Sequence, residues 1–522
     1  MTSPLKTVVV LGCAYGGARA SKMLAASLPP AWRVIVIDRN SHFNHVYVFP
    51  RYAVIPSHAP KAYVPYIHML DPPKSEADKP LTPPTTPPMS NASLGGEIAV
   101  PDEPLPKSRH QFIQGCVTKI TAHSVTFVRP TTDPSKQAPR ESHSPDTYGQ
   151  YDGPEETIEF EYAVYALGAS LPGPVNVWTD IIKNDSDKSG EVKDELEKVF
   201  GTKRHGVKWM DASGKKFEKA QNILCVGAGA LGIQFASDLK HKYPDKLITL
   251  LHSRTRVMPK YPIEFHIALI DGLKKLGVEV VLGERVMTWP EHPELLDGKK
   301  KVVTTDHGRT FEADLVLPCT GQKPHVALLA PLAPSLIHPV SGRIRVRPTM
   351  QVHPGPIRPA ASRATTEDRL ASLSLAAPLT PPASERGSVS SSEHEDDHDH
   401  EHEHEHDEVP DLSHIFACGD CAETGAIQAG HTAYYQSEVA ARNIQRLVNQ
   451  REAQEGRFEL QEDDKELENY KVSAPAIKVT MGLKEGIICN AEGVSMSKDC
   501  PEDLSAMVMW PGMNADHMDV NE

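Results

Sequence analysis

The chain has 522 residues, of which 39% are hydrophobic and 45 are prolines, and it carries a formal net charge of −14. So few apolar residues and so many prolines predict that part of the chain is disordered, while its length allows two to four domains. There is no basic stripe to suit a nucleic acid and no apolar run near the roughly 20 residues of a membrane span, and eight scattered cysteines suit a reducing compartment.

The first apolar run, Val8-Val9-Val10-Leu11, leads into Gly12-Cys13-Ala14-Tyr15-Gly16-Gly17, and the next run, from Arg33, ends on Asp38. A buried strand, a glycine turn, a helix and an acid in that order form a dinucleotide-binding fingerprint. The first glycine permits the turn, the second admits the pyrophosphate, and the third lets helix and strand pack closely. Ala14 stands at the middle position, so this loop must accommodate one methyl group. The first strand begins within about six residues of Met1, which leaves no room for a signal or transit peptide, and Thr2 excludes N-myristoylation.

Three polar, proline-spotted stretches, 71–108, 130–156 and 354–410, lack helical or strand periodicity and are expected to be disordered inserts. The last ends in a His/Asp/Glu run, Glu393 to Glu408, whose ten carboxylates account for most of the net charge. That run has metal-ligand chemistry but no scaffold, so it is read as a solvated acidic tract and no metal site is expected.

Around the second insert, Phe112–Ile120 and Ser124–Val128 alternate like strands of a small sheet, and Thr157–Ser170 resumes it before a turn at Gly168. The run Ile223-Leu224-Cys225-Val226 then enters a complete fingerprint, Gly227, Gly229 and Gly232. A strand at Leu247–His252, an amphipathic helix at Pro262–Leu276 and a strand at Val278–Leu282 follow. Leu317–Pro324 repeats the strand-to-glycine turn at Gly321. One nucleotide-binding unit is thus inserted into another. Two fingerprints call for two adenine dinucleotides, and the economical pair is FAD with a nicotinamide coenzyme that reduces it. The second unit's strand ends on His252-Ser253-Arg254 without a carboxylate, so Arg254 and Arg256 favour the 2′-phosphate of NADPH, with NADH as the other donor. Near the end, Ile415–Glu423 carries Gly419-Asp420 before a helix expected from His431 to Val448. Asp420 suits ribityl hydroxyls, and the helix N-terminus suits a pyrophosphate.

The motifs Gly12–Gly17, Gly227–Gly232, Thr320-Gly321 and Phe416–Ala422 resemble those of the pyridine-nucleotide-dependent flavoproteins. With His45–Tyr52, Lys61, Gln114–Val117 and Ile248–Arg254, the chain is most similar to the apoptosis-inducing-factor-like branch, in particular its ferroptosis-suppressor type of NAD(P)H:quinone oxidoreductase. The resemblance implies an α/β fold of two Rossmann-like domains, with FAD in 1–171 and 322–466, NAD(P)H in the inserted 172–321, and a small C-terminal α+β domain in 467–522. It implies that Gly12, Cys13, Ala14, Tyr15, Gly16, Gly17 and Asp38 hold the adenosine end of FAD. Arg51 and Lys61 would lie along the flavin, the Arg51 fork suiting pyrophosphate. Val117 would present backbone to the adenine, Gly168 would line the crossover, and Gly419 and Asp420 would hold the ribityl chain. Gly227, Gly229, Gly232, Ser253, Arg254 and Gly321 would bind the coenzyme.

Lys61, Gln234 and His431 are the expected catalytic residues. Relatives carry Glu where this chain has Gln234, which leaves no carboxylate there for Lys61, and Lys where it has His431. The expected acceptor is a diffusible quinone. The alternatives are a protein-disulfide partner or a redox-sensing, apoptosis-type signalling role. Cys418-Gly-Asp-Cys421 is read as flavin-binding rather than as a redox dithiol. A cytoplasmic protein is expected, with possible peripheral contact to a lipid droplet or the outer mitochondrial membrane, and the oligomeric state is left open.

Overall fold

A computed structural model describes residues 4–71, 109–130, 153–178, 201–355, 411–516 and 520. The three expected inserts fall almost wholly outside these residues. In chain order the first half supplies β1 (Lys6–Leu11), α1 (Tyr15–Ser27), β2 (Trp32–Asp38), α2 (Phe49–Val54), β3 (Gln111–Gln114), β4 (Cys116–Ile120), β5 (Ser124–Val128), β6 (Glu155–Glu159) and β7 (Tyr162–Tyr165). Then come α3 (Lys203–Lys219), β8 (Asn222–Val226), α4 (Ala230–Lys242), β9 (Leu247–His252), α5 (Ile263–Leu276), β10 (Glu279–Leu282) and β11 (Leu315–Pro318). The chain closes with β12 (Ile415–Ala417), α6 (Gly430–Gln454), β13 (Ile477–Met481), β14 (Glu485–Asn490) and β15 (Gly493–Ser497).

Two parallel sheets organise the molecule. The first runs β12-β7-β1-β2-β3 and the second β10-β9-β8-β11. Helices cover both faces of a parallel sheet, so its strands read as unbroken apolar runs, and Val8, Val9, Val10 and Leu11 are each 0% exposed. In register, Val9 lies between Ile35 and Ala163, and Cys225 between Leu250 and Leu317. The fold is the expected α/β architecture, with the second sheet formed from chain that lies between β7 and β12 of the first.

Local departures have physical reasons. Phe112–Ile120 is not one strand of a small sheet. It breaks at Gly115, where a Cβ would come within 2.9 Å of the Phe127 ring. The part before the break pairs with β2 as the sheet's edge, and the part after it joins the antiparallel β4-β5-β6. Thr157–Ser170 divides in the same way, with β7 inside the parallel sheet. α5 matches its periodicity, burying Phe265, Leu269 and Leu273 and stopping at Gly277 in the left-handed region (φ +86). α6 runs past Val448 because its last turn is anchored from outside. Glu452 accepts from the Lys6 ammonium (3.0 Å) and the Trp32 indole (2.9 Å) of the first sheet.

α3, expected within the coenzyme domain, touches both halves: a Cβ at Gly214 would meet Pro56 at 2.5 Å, and the Phe217 ring lies 5.8 Å from that of Phe235 in α4. Its C-terminal carbonyls are capped by Lys246, which donates to Phe217 (2.7 Å), Ala220 (2.6 Å) and Glu218 (2.5 Å). The antiparallel β13-β14-β15 sits on the second sheet's helices, with Met481 against Gly272 of α5 and the Ser237 hydroxyl of α4 donating to Thr480 O (3.3 Å).

Candidate active site

Both glycine turns are built by the same contacts. Gly12 has φ +87 and Gly227 φ +109, a region that favours glycine, and a Cβ would come within 2.6 Å of Ala166 O at Gly12 and 2.3 Å of Thr320 Cγ2 at Gly227. The third glycine lets the helix approach its strand. A Cβ on Gly17 would lie 1.8 Å from Gly12 O, and one on Gly232 1.9 Å from Gly227 O. The middle position needs neither property. Gly229 is exposed with φ −78 and no heavy atom within 4 Å of its would-be Cβ, and Ala14 is exposed with φ −73. An alanine there is unstrained, which explains the mismatch in the first fingerprint.

Asp38 ends β2 beside the first turn. Its Oδ2 accepts from Cys13 N at 2.5 Å, and its Oδ1 accepts from Asn40 N at 2.7 Å and Asn40 Nδ2 at 2.9 Å. Burial pushes its carboxyl up, against the pull of those N–H donors. Val117 lies on β4, the strand that follows Asp38's edge neighbour Gln114, and pairs with Phe127 of β5. At the second turn the equivalent donor, Ala228 N, finds His252 Nδ1 at 3.2 Å. Ser253 is half-buried and Arg254 exposed. Arg256 donates through Nη2 to Tyr261 O, and its Nε is buried without a hydrogen-bond partner among the described residues.

The N-termini of α1 and α6 converge on the first turn. A Cβ on Gly16 would meet Ala433 O at 3.0 Å and Cys418 Sγ at 3.3 Å, and one on Gly430 would meet the Tyr15 ring at 2.7 Å. Tyr15 OH bonds with His45 Nδ1 at 2.8 Å, and Gly430 N donates to Tyr47 OH. Two positive helix ends facing one place favour an anion between them. Gly419 N donates to Gln436 Oε1 (2.8 Å) and positions Asp420, whose carboxyl burial pushes up while Arg343 pulls it down. Nearby, Arg343 Nη1 and Glu423 Oε2 form an ion pair at 3.6 Å, while Arg343 Nε and Glu423 Oε2 are buried with no hydrogen-bond partner among the described residues. Such leftover polar atoms suit a polyhydroxylated chain, so the residues present fit FAD. Gly168 (φ +66) and Gly321 (φ +92) end the crossover strands with open space beside them. Ala169 bridges Pro324, and Ser170 N donates to Lys323 O at 2.8 Å, so the two connections form one paired hinge.

Two expectations require correction. Arg51 does not offer its fork to a pyrophosphate. It is fully buried and donates to Asp238 at 2.7 and 3.0 Å, and to the carbonyls of Gly482 (2.8 Å), Glu502 (3.2 Å) and Leu483 (3.3 Å). Lys61 does have a carboxylate, but it comes from the C-terminal segment: its Nζ lies 2.7 Å from Asp503 Oδ2. Neither partner carries a motif that sequence reading would catch. Gln234 is half-buried in α4, and His431 is half-buried in the first turn of α6, where burial lowers the pKa of its imidazole. Cys418 and Cys421 are 1% and 0% exposed, burial pushes both thiols up, Cys421 to about 12, and Cys421 Sγ donates to Cys418 O at 3.3 Å.

Comparison with known proteins agrees with this geometry. A family model described as pyridine nucleotide-disulphide oxidoreductase matches residues 6–355, which take in both glycine turns. Fe-regulated protein 8 of Mycosarcoma maydis is 30% identical over 98% of this chain and 96% of its own length. Ferroptosis suppressor protein 1 of Mus musculus is 25% identical over 52% of this chain and 54% of its own, so the match spans about half of that relative. An NAD-dependent persulfide reductase from A. fulgidus shares the fold, with a TM-score of 0.50 at 16% identity over 92% of this chain and 63% of that one. The chain therefore belongs to the pyridine nucleotide-disulphide oxidoreductase family, as an FAD-dependent oxidoreductase with NAD(P)H as its electron donor.

Proposed function

We propose that this oxidoreductase delivers its electrons to a diffusible quinone-like acceptor rather than to a protein disulfide. The observation that carries the reading is the state of Cys418 and Cys421. A dithiol that exchanges with disulfides must be accessible and easily deprotonated, and these two are buried with raised pKa values. The resemblance of its motifs to the ferroptosis-suppressor type, with ferroptosis suppressor protein 1 of Mus musculus among its relatives, supports the same acceptor class. All eight cysteines are free, which fits the cytoplasm. Among the described residues no helix is long and apolar enough to cross a membrane. Contact with a lipid droplet or the outer mitochondrial membrane, in this reading, is peripheral.

When bound, FAD supplies a ring system that accepts a hydride from the nicotinamide and passes electrons onward. The protein's part is positioning. The N-termini of α1 and α6 hold the pyrophosphate, and Asp38 and Asp420 orient the ribose and ribityl hydroxyls. The Ala169–Pro324 hinge fixes one nucleotide-binding unit against the other. Lys61, paired with Asp503 at 2.7 Å, and the Gln234 amide are the groups assigned to the flavin's surroundings. His431, its imidazole pKa lowered by burial, is assigned to proton exchange with the acceptor through its ring nitrogens.

Anaerobic titration with NADPH and then NADH, followed in the visible spectrum, tests this. Bleached flavin bands that return on addition of a quinone support the reading. A flavin that is reduced but not reoxidised by any quinone refutes the acceptor and favours the signalling role.

A further inference from the structure

The chain leaves the first nucleotide-binding unit through 169–178, a connection that contains no titratable side chain. Its far end is fastened to the first unit. The Trp178 indole donates to Asn40 Oδ1 at 2.9 Å, and Asn40 Nδ2 donates in turn to Asp38 Oδ1 at 2.9 Å. Val175, Val177 and Trp178 are buried in the core cluster that also holds Ile223, Cys225 and Leu317 of the second unit. The connection thus touches both units.

One carboxyl of the second unit leans on it. Gly173 opens a short turn, Gly173–Val175, and a Cβ there would lie 2.1 Å from Glu294 Oε1, so the carboxyl fills the space a side chain would take. The loop that carries Glu294 is fixed to the edge of the second sheet, Val316 N of β11 donating to Pro293 O at 2.9 Å. Burial pushes the Glu294 carboxyl up to about 7 against the pull of the Lys216 charge, and no hydrogen bond adds to that pull. Lys216, in the last turn of α3, is 8% exposed, and its ammonium is lowered by burial and raised by Glu294. The other titratable group facing Glu294 is the Cys319 thiol beyond β11, which burial pushes up. In its own loop Glu291 and His292 are exposed, and Asp297 pairs with Lys301 at 2.8 Å. A neutral carboxyl can stay dry against Gly173. An ionised one without hydrogen bonds must find water or move toward Lys216, and either course takes it off the connection.

We propose that Glu294 is a positioning residue for hydride transfer: in its neutral form it packs the 169–178 connection against the second unit, and loss of its proton to solvent loosens one unit against the other. The step between the nucleotides depends on their registry, so a loosened connection slows it. The inference is independent of the acceptor, because flavin reduction precedes any acceptor.

Single-turnover reduction of the FAD-loaded protein by saturating NADPH, with no acceptor present, tests it between about pH 6 and about pH 8. The wild-type rate is expected to fall by roughly threefold or more through a one-proton step near 7. Glu294→Gln has the same shape and no proton to lose. It is expected to abolish the step and to be faster than wild type at the upper end of the range, a gain that damaged packing does not produce. Lys216→Met removes the opposing charge and is expected to move the step to higher pH. Infrared spectra supply a readout without turnover: a protonated-carboxyl band that fades across the wild-type step and is missing from Glu294→Gln. A step that persists in Glu294→Gln overturns the inference. So does a wild-type rate that stays flat, or a carboxyl band indistinguishable between wild type and Glu294→Gln. Should Lys216→Met fail to hold FAD, the Glu294→Gln rates and the infrared band decide.

Discussion

Replacing Asp238 by Asn removes one charge from a pair whose side chains are both 0% exposed. Arg51 sits where α2, α4 and the C-terminal segment meet, donating to Asp238 through Nε (2.7 Å) and Nη2 (3.0 Å) and to three carbonyls beyond β13. The variant keeps the shape but leaves the guanidinium without a counter-charge. Breaking a buried pair in this way costs about 3–5 kcal/mol. Arg51→Leu leaves the opposite partner, which has an escape. Burial pushes the Asp238 carboxyl up to about 6 even while Arg51 pulls it down, so without Arg51 it rises further and binds a proton. A carboxyl whose folded pKa is raised contributes stability at low pH that is lost as pH rises through that value. Arg51→Leu should therefore be more stable at pH 6 than at pH 8, while the Asp238→Asn deficit, with no group to titrate, stays flat. Urea midpoints of the FAD-loaded protein, read by flavin and tryptophan fluorescence at both pH values, measure this, midpoints being safer than extrapolated free energies for a multidomain chain. Flavin reduction by NADPH in a single turnover should also slow in both variants. Two variants within about 1 kcal/mol of wild type, or with parallel pH dependence, refute the argument.

Other outcomes follow from single contacts. Gly17→Ala places a Cβ 1.8 Å from Gly12 O, so α1 must shift, and FAD affinity should fall by roughly tenfold or more in a fluorescence titration, whereas Ala14→Gly should change it by no more than a few-fold. Cys418→Ser combined with Cys421→Ala should keep NADPH:quinone turnover within a few-fold of wild type. A loss of several orders of magnitude with FAD retained would restore the disulfide reading. Glu452 is held down to about 2, first by the Arg457 hydrogen bond and then by those from Trp32 and Lys6. A depressed carboxyl contributes stability above its ordinary value that is lost as pH falls through the depressed one. Acid unfolding followed by circular dichroism should therefore be steeper between about pH 4.5 and 2 in the wild type than in Glu452→Gln.

What was legible in the sequence was whatever sterics alone dictate. Gly17 and Gly232 can be read because a Cβ at each would strike the carbonyl oxygen of the first glycine of the same turn, and Gly12 and Gly227 because their turns need a left-handed backbone. The alternation of strand and helix could be read because both sheets are parallel and buried on both faces. What escaped depends on partners remote in the chain. Arg51 pairs with a residue 187 positions away and Lys61 with one 442 positions away, and neither Asp238 nor Asp503 belongs to a motif.

The C-terminal segment illustrates why such remote partners matter to the chemistry. Trp510, 1% exposed, lies in the same core cluster as Val8, Val10 and Cys13 of the first unit, and its indole donates to Lys61 O at 3.1 Å. Val479, Met481 and Ile487 lie instead in the cluster built around the second unit. One stretch of chain therefore wedges against both nucleotide-binding units. It also supplies Asp503 to Lys61 and three carbonyls to Arg51. Hydride transfer is sensitive to misplacements of the order of 1 Å. The separation of the two bound nucleotides is then set jointly by the hinge at Ala169–Pro324 and by this terminal wedge. Changes in 477–513 should consequently appear as altered rates of flavin reduction before they appear as lost binding of either nucleotide.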